Sequence, residues 1–341
     1  MKRLLTVFFL VGIFHSSGLT QSAPLSFIVT PDPATQSYQV ELSIKGLVRD
    51  TLELKLPSWT PGYYQIMQYA NQIDDFHSAT SDGQTLLWKK VGSNSWRIAS
   101  GGSADVTIKY QVKATRSFVA SSYVDSLRAF ITPGGVFMHV AKMLNHPAQI
   151  TLNLYKDWNM VATGLKPGEA LNSFIAPDFD ILYDSPILMG DLEQLPTFDV
   201  RGIPHRFIGY ALGDFDRQQF INDLKKITEA ATDIIDDIPF QEYTFIAIGP
   251  GQGGLEHLNS TAFSFSGSGL KTPDGRRRMY SFLAHEYFHH YNVKRIRPIE
   301  LGPFDYDREN RTNMLWVSEG FTVYYDMMIV RRAGHNRGTT Q

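Results

Sequence analysis

The apolar residues of this chain change their period near residue 200, and that change limits the fold more than any other feature. From about Leu25 to about Thr197 they recur at every second position. Tyr38, Val40, Leu42 and Ile44 alternate with Gln39, Glu41 and Ser43, and Leu52, Leu54 and Leu56 alternate with Glu53 and Lys55. Val106, Ile108, Tyr110 and Val112 repeat the pattern, as do Ile150, Leu152 and Leu154. Successive side chains of a strand point to opposite faces, so each segment buries one face and wets the other. Turn residues separate the segments at Ser81-Asp82-Gly83, Gly92-Ser93-Asn94 and Pro133-Gly134-Gly135. This predicts a β-rich N-terminal domain over residues 24–200, built as an antiparallel β-sandwich or a curved, saddle-like sheet.

Beyond Arg201 the pattern becomes mixed. Arg206 to Leu212 reads as a strand. Asp214 to Asp237 reads as a helix, with Phe220, Leu224, Ile227, Ala231 and Ile234 at helical spacing, Asp214 as N-cap and Pro239 as its stop. A strand from Tyr243 to Ile248 ends at Gly249-Pro250-Gly251, and helices follow over about Asp274 to Asn292 and Asn313 to Arg332. The chain is therefore expected to be α+β, with a second domain over residues 201–341.

With 341 residues, 43% hydrophobic and 13% aromatic, the chain can fill a large core, and intrinsic disorder is excluded. Its formal charge of -2 gives no global field to gather nucleic acid or an anionic membrane. Arg276-Arg277-Arg278 lacks interleaved aromatics and reads as a solvated face. Residues 1–20 have the layout of a secretory signal peptide: Lys2 and Arg3, then the apolar run Leu4 to Phe14, then small or polar residues. Periplasmic or secreted localisation is expected, without membrane attachment after signal cleavage; an uncleaved anchor is the alternative. There is no cysteine, hence no disulfide and no lipid-bearing thiol.

The chemistry concentrates in Ala284-His285-Glu286-Tyr287-Phe288-His289, which falls inside a predicted helix. Residues i and i+4 share a helical face, so both imidazoles can point at one ion, with Glu286 beside it as a general base for bound water. Chance alone would produce H-E-x-x-H in a chain this long with odds on the order of one in a hundred. A catalytic zinc needs a third protein ligand. Glu319, in Leu315-Trp316-Val317-Ser318-Glu319-Gly320-Phe321-Thr322, is the candidate, because its apolar neighbours argue against full solvation and a buried carboxylate requires a positive partner. Asp326, two turns further along the same face, is a candidate to orient a ligand histidine, or an ordinary helix carboxylate. His257 and His290 adjoin the motifs and read as packed or exposed histidines.

The run from His285 to Pro298, with the segment around Glu319, resembles the glycyl aminopeptidase family of gluzincin zinc metallopeptidases. Leu56-Pro57-Ser58-Trp59-Thr60-Pro61-Gly62-Tyr63, Tyr183-Asp184-Ser185-Pro186 and Gly253-Gly254-Leu255-Glu256-His257 resemble the same family. The resemblance implies a thermolysin-like catalytic domain, one Zn2+ held by His285, His289 and Glu319, Glu286 as base, and peptide substrates with small first residues such as Gly or Ala. Gly253-Gly254-Leu255-Glu256-His257 is also similar in place to a segment that, in the wider aminopeptidase superfamily, pairs with substrate backbone and uses its Glu to accept the α-ammonium. Gly253, Gly254 and Glu256 are thereby expected to bind substrate. Family members continue into a helical region and a PDZ domain, so an incomplete catalytic domain is expected here, with apolar residues exposed between Val317 and Val330. The alternatives are a metalloendopeptidase and a non-catalytic exported peptide-binding protein with a vestigial metal site.

Overall fold

The computed structural model describes residues 25–335; the expected signal peptide over residues 1–20 and the tail 336–341 lie outside the described residues. The alternating segments are strands. Leu25–Asp32 and Val106–Lys113 bury every second side chain. They belong to a seven-stranded sheet in the order 166–167, 173–176, 148–152, 25–32, 37–44, 106–113, 73–80. A four-stranded sheet runs 139–140, 51–55, 95–99, 88–90. Phe27, Val29, Tyr38 and Ile108 from the first sheet share one core with Leu52, Leu54, Trp96 and Ile98 from the second, which makes the pair a sandwich. The sandwich is not wholly antiparallel, because Leu25–Val29 pairs in parallel with Ala148–Leu152. Alternation decides which face of a strand is buried and says nothing about the direction of its neighbour.

A five-stranded sheet, in the order 160–163, 187–190, 128–131, 121–124, 115–118, forms the side on which the second half is mounted. The second half has its own sheet, in which Ile203–Gly209, Tyr243–Ala247 and Ser260–Phe263 are mutually parallel and Gly254–Glu256 is added antiparallel at the edge. Glu193–Gln194 and Phe198–Val200 also pair with Ile203–Gly209, so residues 193–200, expected in the β-rich domain, contribute strands to this sheet.

The helices are α1 (Phe179–Tyr183), α2 (Arg217–Ile235), α3 (Pro273–Phe288) and α4 (Leu315–Arg332). Asp216, not Asp214, caps α2: its carboxylate accepts from the Gln219 amide at 2.9 Å. Asp214 lies too far before the first free amides and pairs with Lys271 instead, at 2.8 Å. The first strand of this sheet also sits earlier than expected, at Ile203–Gly209, because its register is set by the partner strand, His205 opposite Tyr243 through Gly209 opposite Ala247.

The sheet is a partition between two cores, and single-residue alternation assigns its side chains. Phe207 and Phe245 face the helices and pack with Phe220, Leu224, Leu283, Tyr287 and Ile329. Their neighbours Ile208 and Ile246 face the five-stranded sheet and pack with Phe130 and Leu188. Phe137 is fully buried in the sandwich, edge-on to Phe27 at 5.0 Å, whereas Leu87 is 81% exposed. Phe137→Ala is therefore expected to cost about 3–5 kcal/mol in denaturant-unfolding free energy, and Leu87→Ala less than about 0.5 kcal/mol.

Candidate metal centre

Helix α3 is started by Thr272, whose hydroxyl accepts from the Gly275 amide at 3.1 Å, with Pro273 in the first turn. Tyr280, Leu283, Ala284 and Tyr287 commit one side of the helix to the core, leaving His285, Glu286 and His289 on the other. His289 closes the helix with its backbone still right-handed helical, at φ −62° and ψ −19°, so the one-turn relation to His285 is kept. The two Nε2 atoms stand 3.0 Å apart. The first turn of α4, which packs along α3, brings Glu319 Oε2 to 3.4 Å from His285 Nε2 and 3.6 Å from His289 Nε2.

The proton positions on the far side of each ring decide what these atoms are. His289 Nδ1 donates to the carbonyl oxygen of Asn292 at 2.8 Å, and His285 Nδ1 donates to Asp326 Oδ2 at 3.3 Å. A neutral imidazole with its proton on Nδ1 presents a lone pair at Nε2. Two lone pairs and a carboxylate oxygen thus face one another with no donor between them, an arrangement that demands a cation. A tetrahedral ion with bonds of about 2.0–2.1 Å would hold its ligand atoms about 3.3 Å apart, close to the separations here. His285, His289 and Glu319 are the one such cluster of metal-ligating side chains among the described residues. Without an ion, protons take its place. Burial disfavours the charged His285, but the Asp326 and Glu319 carboxylates outweigh it and raise its pKa, while the two imidazoles lower that of Glu319.

The supports of this cluster were only partly visible in the sequence. Asp326, at helical spacing from Glu319, does reach His285, and Ser281 Oγ fixes its other oxygen at 2.8 Å. Asn292 is a second support, with no signal of its own in the motif spacing. Its carbonyl orients His289, while its side-chain nitrogen donates to the carbonyl oxygens of Val317 and Ser318 and to Thr322 Oγ1 at 3.0–3.2 Å. One residue therefore ties the second histidine to the helical turn that carries Glu319. The only hint in the sequence was its position three residues past His289.

Glu286 is 6% exposed, and its Oε2 is buried without a hydrogen-bond partner. Burial raises its pKa to about 7, with Glu256 and Glu319 adding to the rise and the histidines opposing it. Gly254 lies against it: a Cβ there would come within 2.9 Å of Glu286 Oε1 and 2.6 Å of Phe282 Cζ. Gly253 has φ +93°, in the region that favours glycine. Glu256 follows on the same face of the strand as Gly254 and is 6% exposed. A Cβ on Gly62, from the β-rich domain, would lie 3.2–3.3 Å from both Glu256 carboxylate oxygens.

The structure also places the neighbouring aromatics. Tyr291 donates to the Asp237 carbonyl, Tyr325 stacks on Phe288 at 4.7 Å and Tyr324 is exposed. Tyr64 of the β-rich domain, held at φ +55°, also lies in the field of the site, pushed up in pKa by burial and by Glu256, Asp184 and Glu319. Nothing in local spacing links it to residues some 200 positions away. His290 is fully buried among Phe240, Tyr243 and Tyr287, and His257 binds Asp184. The Glu319 side chain is 54% exposed, more than its apolar neighbours implied, because Trp316, Phe321, Val323, Tyr324 and Met327 form an open face on α4. Asn292→Ala and Asp326→Asn are each expected to weaken metal affinity about 10–100-fold in a chelator competition, with the metal-free fold retained. Metal binding at pH 7 should release protons, read by titration calorimetry in buffers of different ionisation enthalpy, and affinity should fall as pH falls, since the ion displaces protons from His285.

The Peptidase M61 N-terminal domain matches residues 27–191, ending just past the strand Ile187–Gly190, and M61 glycyl aminopeptidase matches residues 278–340, which include His285, His289 and Glu319. A solved aminopeptidase N family protein from Idiomarina loihiensis superposes with a TM-score of 0.85 at 32% identity, covering 91% of this chain and 55% of that one. The chain thus spans about half the length of that relative, at 55%. None of the curated proteins compared matches it. With the matched sequence domains, the superposed fold and the His-His-Glu cluster in agreement, the chain belongs to the M61 glycyl aminopeptidase family of peptidases.

Proposed function

We propose that the chain carries the working centre of a zinc aminopeptidase that removes small N-terminal residues, Gly or Ala, from peptides. The observation that supports this most is the meeting of two imidazole lone pairs and a carboxylate beside a buried, partnerless base. His285, His289 and Glu319 would hold the ion, and two histidines with a carboxylate suit zinc. Bound there, zinc supplies polarisation of the scissile carbonyl and a lowered pKa for the attacking water.

The remaining work falls to the chain. Asp326 and the Asn292 carbonyl keep the ligand lone pairs aimed inward. Glu286 takes the water proton on its carboxylate and returns it to the leaving amine. The strand Gly254–Glu256 lies at the edge of its sheet and offers backbone groups to an extended peptide, with glycine permitting close approach to Glu286. Glu256 receives the α-ammonium, a buried carboxylate being the matching partner for a desolvated cation. The preference for small residues is carried by the family resemblance. Export to the periplasm or the medium belongs to the same proposal and rests on residues 1–20; no described helix is long and apolar enough to cross a membrane.

Two measurements test the reading on the full chain. Glycyl and alanyl chromogenic substrates should be cleaved with stoichiometric zinc bound, and their N-acetylated counterparts should not. Zinc binding without cleavage would instead indicate a peptide-binding protein, and equal cleavage of blocked peptides an endopeptidase. Glu286→Gln should bind zinc as the parent does and lose about 100-fold or more in kcat; a fully active Gln variant would remove the base assignment.

A further inference from the structure

Asp184 ends helix α1 in the β-rich domain, yet every partner of its carboxylate belongs to the catalytic half. Oδ1 accepts from His257 Nδ1 at 3.0 Å and from Lys294 Nζ at 2.7 Å, and Oδ2 accepts from the Leu258 amide at 2.9 Å. The group is largely buried, with side-chain exposures of 13% for Asp184, 5% for His257 and 7% for Lys294. Burial would raise the Asp184 pKa, but Lys294 and His257 outweigh it and hold the carboxyl at about 2, so it stays ionised. Its own backbone is fixed: Asp178 caps α1 through the Ile181 amide at 2.8 Å, Ser185 Oγ donates to the Ile181 carbonyl at 2.7 Å, and Tyr306 donates to Asp180 at 2.6 Å.

The partners are the two residues after Glu256 and the lysine five residues after His289. One carboxylate therefore joins the end of the edge strand to the segment leaving the metal helix. At its other end the strand is already located by Gly254 against Glu286. With both ends tied, the carboxylate of Glu256 has one position relative to the metal ligands. Gly62, also from the β-rich domain, lies against that carboxylate.

We infer that Asp184 is a positioning residue for recognition of the substrate amino terminus: it sets the spacing between Glu256 and the metal ligands, making the β-rich domain part of the specificity machinery. This inference rests on the proposed aminopeptidase reading. A misplacement of about 1 Å at such a site is enough to lose about 100-fold in rate.

The test uses the full chain with Asp184→Asn and Asp184→Ala. Because either change leaves Lys294 buried without its counter-charge, the double variant Asp184→Leu/Lys294→Met, which removes the pair together, carries the test should the single variants fail to fold. Zinc affinity is measured by chelator competition, kcat and KM with glycyl p-nitroanilide, the free-amine preference against its N-acetylated form, and protection of the Leu258 amide by hydrogen exchange. The expected result is zinc affinity within about threefold of the parent, KM raised about tenfold or more with a smaller change in kcat, a reduced free-amine preference and lost protection at Leu258 in Asp184→Ala. Asp184→Asn, which keeps an acceptor for that amide, should be intermediate. An unchanged KM and preference in folded variants would overturn the inference, as would zinc affinity falling in step with activity. A parent chain that shows no preference for the free amine would bring down the aminopeptidase reading, and this inference with it.

Discussion

The site depends on a crowding of ligand atoms that the fold imposes. Helices α3 and α4 hold two imidazole lone pairs and a carboxylate oxygen within 3.0–3.6 Å of one another, a placement that is unfavourable until positive charge is shared among them. What keeps them there is packing elsewhere: Leu283, Ala284 and Tyr287 seat α3 on the sheet, and Ile329 and Val330 seat α4 in the same core. Asn292 then closes the gap between the two helices by hydrogen bonds at 3.0–3.2 Å. Stability made in the core is thus used to hold the three ligand atoms in one geometry.

The β-rich domain takes part in this arrangement. Its five-stranded sheet provides one wall of the core in which Ile208, Ile246, Leu255 and Ala262 are buried, so the sheet of the second half is covered on both faces, as a parallel sheet requires. From the same domain, Gly62 approaches Glu256, Tyr64 lies in its field and Asp184 grips the residues that follow it. Trp59, stacked on Tyr306 at 5.7 Å and bonded to the Asp305 carbonyl at 2.8 Å, anchors the loop that precedes α4.

Much of the fold could be read from periodicity, because burial on one face imposes it directly. The strands at 37–44 and 106–113 and the helices carrying the metal ligands lie where spacing placed them, within a few residues. The departures have a common cause. The start of α2 depended on which of two nearby aspartates met a free amide, and the strand Ile203–Gly209 took its register from Tyr243–Ala247. The parallel pairing of Leu25–Val29 with Ala148–Leu152 and the membership of residues 193–200 in the second sheet are choices of partner, which alternation does not encode.

By itself the sequence determined the α+β class, the helical turn separating His285 from His289, and Glu286 beside them, since all of these are consequences of spacing along one element. Tertiary structure alone decided that Glu319 faces those histidines, that Asn292 clasps α4, and that Asp184, Gly62 and Tyr64 come from another domain to surround Glu256. The physical reason is range. Helical and strand periods act over a few residues, whereas contacts between residues far apart in the chain are selected by the cost of burying every surface of the folded protein at once.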